Sequence, residues 1–238
     1  MTWSLLARDD DGRFGVAIAS RFFAVGALCV HSKGGVGALA TQALVNPLYG
    51  PDGIALLIEG HDAAEVVATL TAVDAGAAQR QLHVLPARGA GAAFTGGQCI
   101  GWCGHALFDG FSVAGNMLAG PRVIEATAEA YTASAGKPLA ERLIAAMRAG
   151  EAEGGDKRGK QGAALRIHGV EDYPELDLRV DDHPDPLAEL QRLYTKSLER
   201  FQPFVACLAR RDAPSGEIDR ARIEAHIDRF HAARRGEI

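Results

Sequence analysis

Alternating apolar and polar positions at the start of the chain predict a β-hairpin. Residues Trp3 to Arg8 form a short β-rich run, and Arg13 to Ser20 again alternate large apolar residues with smaller ones. The Asp9-Asp10-Asp11-Gly12 segment between them is typical of a hairpin turn, because its glycine can adopt a positive φ. A third, buried strand is predicted over Ala27 to Ser32, followed by an extended or looped segment over Val36 to Gln42.

Helical signals come next. Two helices are predicted between Leu48 and Asp74. Inside this region, Asp62 and Glu65 have the spacing of a capping box, in which each side chain binds the backbone N–H of the other residue.

The remaining pattern predicts strands and helices in groups. Pro121 and Pro138 suit first helical positions, and Gly136 and Gly150 are expected to close these two helices. Asp185-Pro186 predicts the cap of a helix running through Glu199. The later predicted strands are Gln81 to Leu85, Ala92 to Thr95, Phe111 to Val113, Ala163 to His168 and Asp177 to Val180. Because strands and helices come in groups rather than in strict alternation, we predict an α+β fold with antiparallel sheets.

The character of the chain changes from Phe201 onward. Prolines and glycine interrupt the pattern, and Glu217 to Arg235 then place Ile223, Ile227 and Phe230 on one helical face. We therefore predict a main domain over residues 1–200 and a C-terminal helical extension over residues 201–238, packed on the body or on a partner. The apolar face makes a homodimer the expected assembly.

Composition narrows the class of protein. The chain has 238 residues, 47% of them hydrophobic, with a formal net charge of −5. This charge argues against nucleic acid as a partner. No apolar run is long enough for a membrane helix and no leader pattern is recognised, so the expectation is a cytoplasmic protein that does not bind a membrane.

The second residue carries the first chemical signal. Thr2 follows Met1 and opens directly into the first predicted strand. If Met1 is removed, the Thr2 hydroxyl can act as a nucleophile while its own α-amine, which titrates near pH 8, acts as the base. A small second residue also simply favours removal of the initiator methionine, so this dipeptide by itself leaves the question open.

Longer blocks of sequence resemble a known family, the bacterial family catalogued as domain of unknown function 1028. These blocks spread over most of residues 2 to about 195. They are Thr2 to Asp9, Gly15 to Gly26, Gly35 to Ala43, Asn46-Pro47, Gly115 to Leu118, Gly154 to Gln161 and Asp181 to Pro184.

The resemblance implies membership of the N-terminal nucleophile (Ntn) hydrolase superfamily, a four-layer αββα sandwich of two antiparallel sheets, and hydrolysis of amide bonds. Related folds such as proteasome β-subunits carry Asp-Ser-Arg at the end of the second strand. Here Ser20 and Arg21 are present and are expected to bind substrate, but Ala19 stands where the aspartate would be. The resemblance further suggests Lys33 as the cation that lowers the pKa of the nucleophile, with a solvent-facing turn lysine as the alternative.

A polar, glycine-bounded loop precedes the strand at Ala163 and is expected to border the site. It presents Asp156, Arg158 and Gln161 together. Asp156 could replace the absent carboxylate, and Arg158 could bind a substrate carboxylate through two hydrogen bonds. An internal Asp156–Arg158 salt bridge that fixes the loop is the alternative.

Polar residues inside apolar, glycine-rich segments are further candidates. Thr41 and Gln42 could bind substrate, and Asn116 could take part in catalysis by lining an oxyanion hole. Satisfying nearby backbone groups is the alternative role.

Three functions therefore stay open. The first is a cofactor-free amidohydrolase that cleaves a small amide or N-acyl substrate with Thr2. The second is a non-catalytic or ligand-binding relative, which the missing aspartate favours. The third is a zinc site at Cys99, Cys103 and His105. The preferred interpretation of these residues is packed thiols and a histidine in a polar turn, because no second pair of ligands has matching spacing.

Overall fold

The computed structural model describes residues 2–236, which fall into two compact units: the first ends at Leu190 and the second begins at Gln191. The described strands are β1 (Thr2–Arg8), β2 (Phe14–Ser20), β3 (Val30–Lys33), β4 (Gly37–Ala43), β5 (Arg80–Pro86), β6 (Ala92–Thr95), β7 (Trp102–Phe108), β8 (Phe111–Leu118), β9 (Gly162–His168) and β10 (Leu176–Val180). The described α-helices are α1 (Val25–Leu28), α2 (Tyr49–Glu59), α3 (Ala63–Ala72), α4 (Arg122–Ala133), α5 (Leu139–Ala152), α6 (Pro186–Ser197), α7 (Phe201–Val205) and α8 (Arg220–Arg235).

The strands form two antiparallel sheets. One has six strands in the order β10-β9-β2-β1-β8-β7, and the other has four in the order β3-β4-β5-β6. Strands β1, β2 and β8 contact β4 and β5 of the second sheet, while α4 and α5 pack on the first sheet and α2 and α3 on the second. The predicted α+β class with antiparallel sheets is confirmed.

Strand β1 lies between β2 and β8 and has two different faces. Trp3 points toward α5, where its indole lies against Gly150. Ser4 points the other way and reaches Gln42 and His83 of the second sheet. Since side chains alternate along a strand, Thr2 shares the face of Ser4 and belongs to the space between the sheets.

Apolar clusters lie on both faces of the second sheet. Between the sheets, Leu6, Phe14 and Ile18 pack with residues of β3, β4 and β5. Outside the second sheet, Leu39 and Leu82 pack against α2 and α3. The core therefore occupies both faces of the second sheet.

Local sequence patterns predict most of the helices and strands correctly, but some predictions are wrong. The predicted strand Ala27 to Ser32 is wrong at its start, where a short helix, Val25–Leu28, precedes β3. It follows Ala24 in a left-handed conformation, and Gly26 comes so close to Ala164 that a side chain would clash. Gly150 lies inside α5 rather than closing it, and a Cβ there would meet Thr127.

Strand β7 is missing from the sequence-based prediction. It is an edge strand of the six-stranded sheet, and its residues are only partly buried. His105, expected in a polar turn, lies in this strand. An edge strand that exposes both faces shows little alternation of apolar and polar residues, so the periodic signal was absent.

The second unit contains the predicted C-terminal helix. Helix α8 begins after Asp219, whose side chain accepts hydrogen bonds from the backbone of Ala221 and Arg222, and Arg200 forms an ion pair with Glu224. The boundary at residue 200 and the homodimer both stay predictions. No described helix has the length and apolar character needed to cross a membrane.

The Asp74 carboxylate follows α3 and binds residues near the start of α2. Asp74 accepts hydrogen bonds from Arg80, the backbone N–H of Gly76, the Tyr49 hydroxyl and the Asn46 amide. These donors, Arg80 foremost, hold the pKa of Asp74 well below its usual range. Burial, helped by the neighbouring carboxylate, raises the pKa of Tyr49 to about 12. The charged form of Asp74 is thus the one that the fold stabilises.

Replacing Asp74 tests this anchor. A carboxyl with a lowered pKa contributes stability above its unfolded pKa of about 4 and loses it as the pH falls further. We expect Asp74→Asn to lower the free energy of unfolding by about 1–2 kcal/mol at pH 7, with the gap to the unmodified protein narrowing below about pH 4. Urea unfolding at several pH values measures this, with the exposed Asp109→Asn as the matched control. A gap that does not change with pH would show that the charge is not what matters.

Candidate functional site

A cavity of about 350 Å³ opens beside the start of β1. Its polar lining includes Thr2, Gln42 and Asn116, while Leu44 and Ile100 contribute exposed apolar side chains. The volume lies near the lower end of the usual range for small-molecule sites, about 300–1,000 Å³. The cavity therefore suits a small, partly apolar ligand.

Thr2 is held in the cavity wall by both neighbouring strands. It pairs with Ser20 of β2 and with Asn116 of β8. Its Oγ1 lies 3.0 Å from the Ser20 Oγ, and the residue is only 6% exposed. The predicted removal of Met1 falls outside the described residues.

Two cysteines share the cavity with Thr2. Burial raises the pKa of Cys29 to about 12, and burial also raises that of Cys99. A thiol attacks as its thiolate, so these shifts make both cysteines weak nucleophiles at neutral pH. Thr2 is left as the better placed candidate of the three.

The two cavity amides are each followed by an unusual backbone conformation. Ala43, after Gln42, has φ +71°, and Met117, after Asn116, has φ +52°. Residues other than glycine seldom adopt this left-handed region, and such strain concentrates at functional sites. The strain marks the ends of the two strands that present Gln42 and Asn116 to the cavity.

The predicted loop wraps around a buried carboxylate. Asp156 accepts hydrogen bonds from the backbone N–H groups of Arg21 and Arg158, at 2.9 Å each, and forms an ion pair with the Arg158 guanidinium. Arg158 lines the cavity, whereas Asp156 does not. This geometry is that of the loop-fixing salt bridge, and a catalytic role for Asp156 stays a prediction.

Five other predicted site residues do not line this cavity, and the roles predicted for them stay predictions: Ser20, Arg21, Lys33, Thr41 and Gln161. Lys33 is ion-paired with Asp172, and the Thr41 hydroxyl donates to the Asn46 carbonyl. Gln161 donates to Asp182 and lines a neighbouring recess together with Arg21. Catalysis by Lys33 and substrate binding by Thr41 and Gln161 stay predictions.

The suggested zinc ligands make separate contacts. The Cys99 thiol donates to the Arg80 carbonyl, and His105 Nδ1 lies 2.9 Å from the Thr95 hydroxyl. Within residues 2–236, no group of three or more His, Cys, Asp or Glu side chains comes close enough to hold a metal ion.

Sequence reasoning missed three buried polar residues behind the cavity: Ser4, Gln81 and His83. Each is fully buried. Their one sequence signal is that polar residues occupy alternate positions in β1 and β5, where apolar residues are expected on a face toward the core.

Among solved structures, the chain is similar to protein SPO2555 from Silicibacter pomeroyi, a DUF1028 protein. It has 29% sequence identity and a TM-score of 0.84, with 92% of this chain and 96% of that chain covered. Anbu (ancestral beta-subunit) from Yersinia bercovieri has 13% identity and a TM-score of 0.41, covering 82% of this chain and 94% of that chain, which is too low to support an inference. Comparison with curated proteins gives no match.

A family model matches residues 2–190, which contain the whole cavity. The chain therefore belongs to the family of unknown function DUF1028.

Proposed function

We propose that this protein is an N-terminal nucleophile amidohydrolase that cleaves a small amide or N-acyl substrate with Thr2. The observation that carries the proposal is the position of Thr2 at the start of β1, in the wall of the cavity and between two flanking strands. Removal of Met1 would give this residue a free α-amine beside its own hydroxyl.

The layer order supports the same assignment. The layers follow one another in the order helices, six-stranded sheet, four-stranded sheet, helices. This is the order of an Ntn-type αββα sandwich. Fold by itself does not imply activity, so the proposal depends on the site.

The first half of the reaction forms an ester. The neutral α-amine takes the hydroxyl proton as Thr2 Oγ1 attacks the amide carbon, and the carbonyl electron pair moves onto oxygen. The side-chain amides of Gln42 and Asn116, which line the cavity, would donate to this oxyanion. When the intermediate collapses, the C–N bond breaks, the leaving nitrogen takes the proton from the α-amine, and the acyl group stays on Oγ1.

The second half restores the enzyme. The α-amine removes a proton from water, which attacks the ester carbon. The C–Oγ1 bond then breaks, Oγ1 regains the proton, and a carboxylic acid leaves. No cofactor takes part in either half.

Specific residues favour a second candidate, a ligand-binding protein without hydrolysis. Ala19 occupies the place of the expected aspartate, and Lys33 is engaged by Asp172. Under this alternative the protein binds its ligand with Met1 in place, and replacing the Thr2 hydroxyl has no chemical consequence.

Covalent labelling tests the nucleophile. After incubation with a small β-lactone, which opens on attack by a hydroxyl, we expect intact mass to show loss of Met1 and one acyl adduct, mapped to Thr2 by fragmentation. Thr2→Ser should still be labelled, whereas Thr2→Ala should not.

The cavity thiols supply the control for this labelling. The double variant Cys29→Ala, Cys99→Ala should acylate like the unmodified protein, because burial raises the pKa of both thiols. Full retention of Met1 on natively expressed protein, or an adduct only on cysteine, would exclude the Thr2 mechanism.

The pH dependence of acylation tests the base. A protonated α-amine cannot accept the hydroxyl proton, so the rate should rise with pH and level off above about pH 8. Stopped reactions quantified by intact mass measure this profile. A rate that still climbs above about pH 9 would indicate a thiolate instead, since the Cys29 pKa is raised to about 12.

A further inference from the structure

A chain of fully buried hydrogen bonds runs between the two sheets and ends at the cavity. It joins Ser112 of β8 to His83 of β5 and to Ser4 of β1, each at 2.8 Å. From Ser4 it continues to Gln42 in the cavity wall. Buried polar groups are costly unless they are bonded, so a chain of this length in the core requires an explanation.

The donor and acceptor of each bond can be assigned from Gln81, which also bonds to Gln42. The side-chain nitrogen of Gln81 faces two backbone carbonyls. The Gln81 Nε2 lies 3.0 Å from the Gly104 carbonyl and 2.9 Å from the Gly115 carbonyl. Carbonyl oxygens only accept hydrogen bonds, so the nitrogen of the amide must lie on this side. The Gln81 Oε1 therefore faces the cavity residues Gln42 and Asn116.

The Gln81 Oε1 in turn orients both cavity amides. It accepts from Gln42 Nε2 at 2.8 Å and from Asn116 Nδ2 at 3.0 Å. An oxygen cannot donate, so each neighbour must present its nitrogen to Gln81. The Gln42 Oε1 consequently faces Ser4.

This orientation decides the tautomer of His83. The Ser4 hydroxyl donates its one hydrogen to Gln42 Oε1, so it must accept from His83 Nε2–H. Burial lowers the pKa of His83 to about 3, which keeps the ring neutral. The other ring nitrogen, Nδ1, therefore accepts from the Ser112 hydroxyl.

The result is a polarised chain in which the bonds from Ser112 through His83 and Ser4 point toward Gln42, while Gln42 and Asn116 both donate to Gln81. A primary amide nitrogen carries two hydrogens, and Gln81 takes one from Gln42 and one from Asn116. Asn116 is also the strand partner of Thr2. Each of these two cavity-lining amides has a second hydrogen that the bond to Gln81 does not use.

We propose that His83 is a positioning residue that, through Ser4, holds the oxygen end of the Gln42 amide in the orientation that Gln81 sets at the nitrogen end, so that Gln42 and Asn116 together bind the acyl oxygens of the substrate. This inference rests on the proposed function for the location of the site, and it names the substrate group that the cavity holds, a carbonyl or carboxylate. His83 touches no ligand and acts only through the orientation of Ser4 and Gln42.

The test uses the full chain, labelled with ¹⁵N, and butyrate as the probe. In the unmodified protein, we expect His83 to show a protonated Nε2 and an unprotonated Nδ1 throughout pH 5–8. Saturating butyrate should shift the side-chain NH₂ signals of Gln42 and Asn116. A protonated Nδ1, no saturable binding, or unshifted NH₂ signals would each overturn the proposal.

Variants separate positioning from general stability. His83→Leu should weaken butyrate binding about 10- to 100-fold, because the Ser4 hydroxyl loses the donor that directs its hydrogen to Gln42 and Gln81 alone then orients the amide. His83→Gln, which can again donate to Ser4, should restore most of the binding. His168 is the matched control: it is also buried, has a pKa lowered to about 4, and is bonded to Ser32 outside this chain of hydrogen bonds. His168→Leu should leave butyrate binding unchanged, and an equal loss in both Leu variants would contradict the positioning role.

Failure of this inference is distinguishable from failure of the proposed function. Binding is measured in Thr2→Ala, which cannot be acylated. If butyrate shifts the two amides there while the unmodified protein is never acylated, the donor pair stands and hydrolysis fails. If Thr2 is acylated but the amides do not respond, hydrolysis stands and the donor pair fails.

Discussion

The site depends on one constraint, the pairing of β1 with β2 on one side and β8 on the other. Its register sets Thr2 opposite Ser20 and Asn116 at once. Shifting a strand by one residue reverses which face each side chain occupies, so a slip would send Thr2 toward α5 and Trp3 toward the second sheet. Trp3 fits closely against Gly150 and Gly155 on the helical side. The packing of one large side chain therefore fixes the position of the small one beside it.

The space between the sheets combines two kinds of interior. At one end, Leu6, Phe14 and Ile18 form an ordinary apolar core. Toward the cavity, the same layer is polar, and its amides and hydroxyls bond to one another and to backbone carbonyls. Replacing such a network with apolar residues often leaves stability unchanged or improves it, so its presence is better explained by the orientation it imposes on the cavity wall. Because these hydrogen bonds allow each amide one orientation, the cavity wall has a defined set of donors.

Local sequence signals were sufficient for much of the fold. The Asp62–Glu65 capping box is formed as predicted, because both partners lie within one helical turn. The first hairpin follows from a turn and alternating residues next to each other in the chain. Such features need no knowledge of the distant chain, whereas the edge strand at Trp102 to Phe108 takes its structure from pairing with β8.

The site was less predictable than the fold, because its side chains come from distant parts of the sequence. Thr2, Gln42, Asn116 and Arg158 were all selected from sequence, and all line one cavity. Ser4 and His83, however, meet across 79 positions of sequence, and Arg21 meets Asp156 across 135. A serine or histidine in an apolar strand looks the same whether its partner is a ligand or another side chain. Only the three-dimensional register tells them apart.

The absence of an aspartate at position 19 raises the question of what would activate Thr2 in the proposed mechanism. In a buried setting, desolvation disfavours the charged form of an amine and so lowers its pKa. Thr2 is 6% exposed, and Arg158 is the one charged side chain among the described cavity residues, already balanced by Asp156. An α-amine held there would be shifted toward its neutral form without a neighbouring carboxylate or Lys33 to adjust it. In the proposed mechanism, burial would thus favour the proton-accepting form of the base, and the oriented amides would donate to the developing oxyanion.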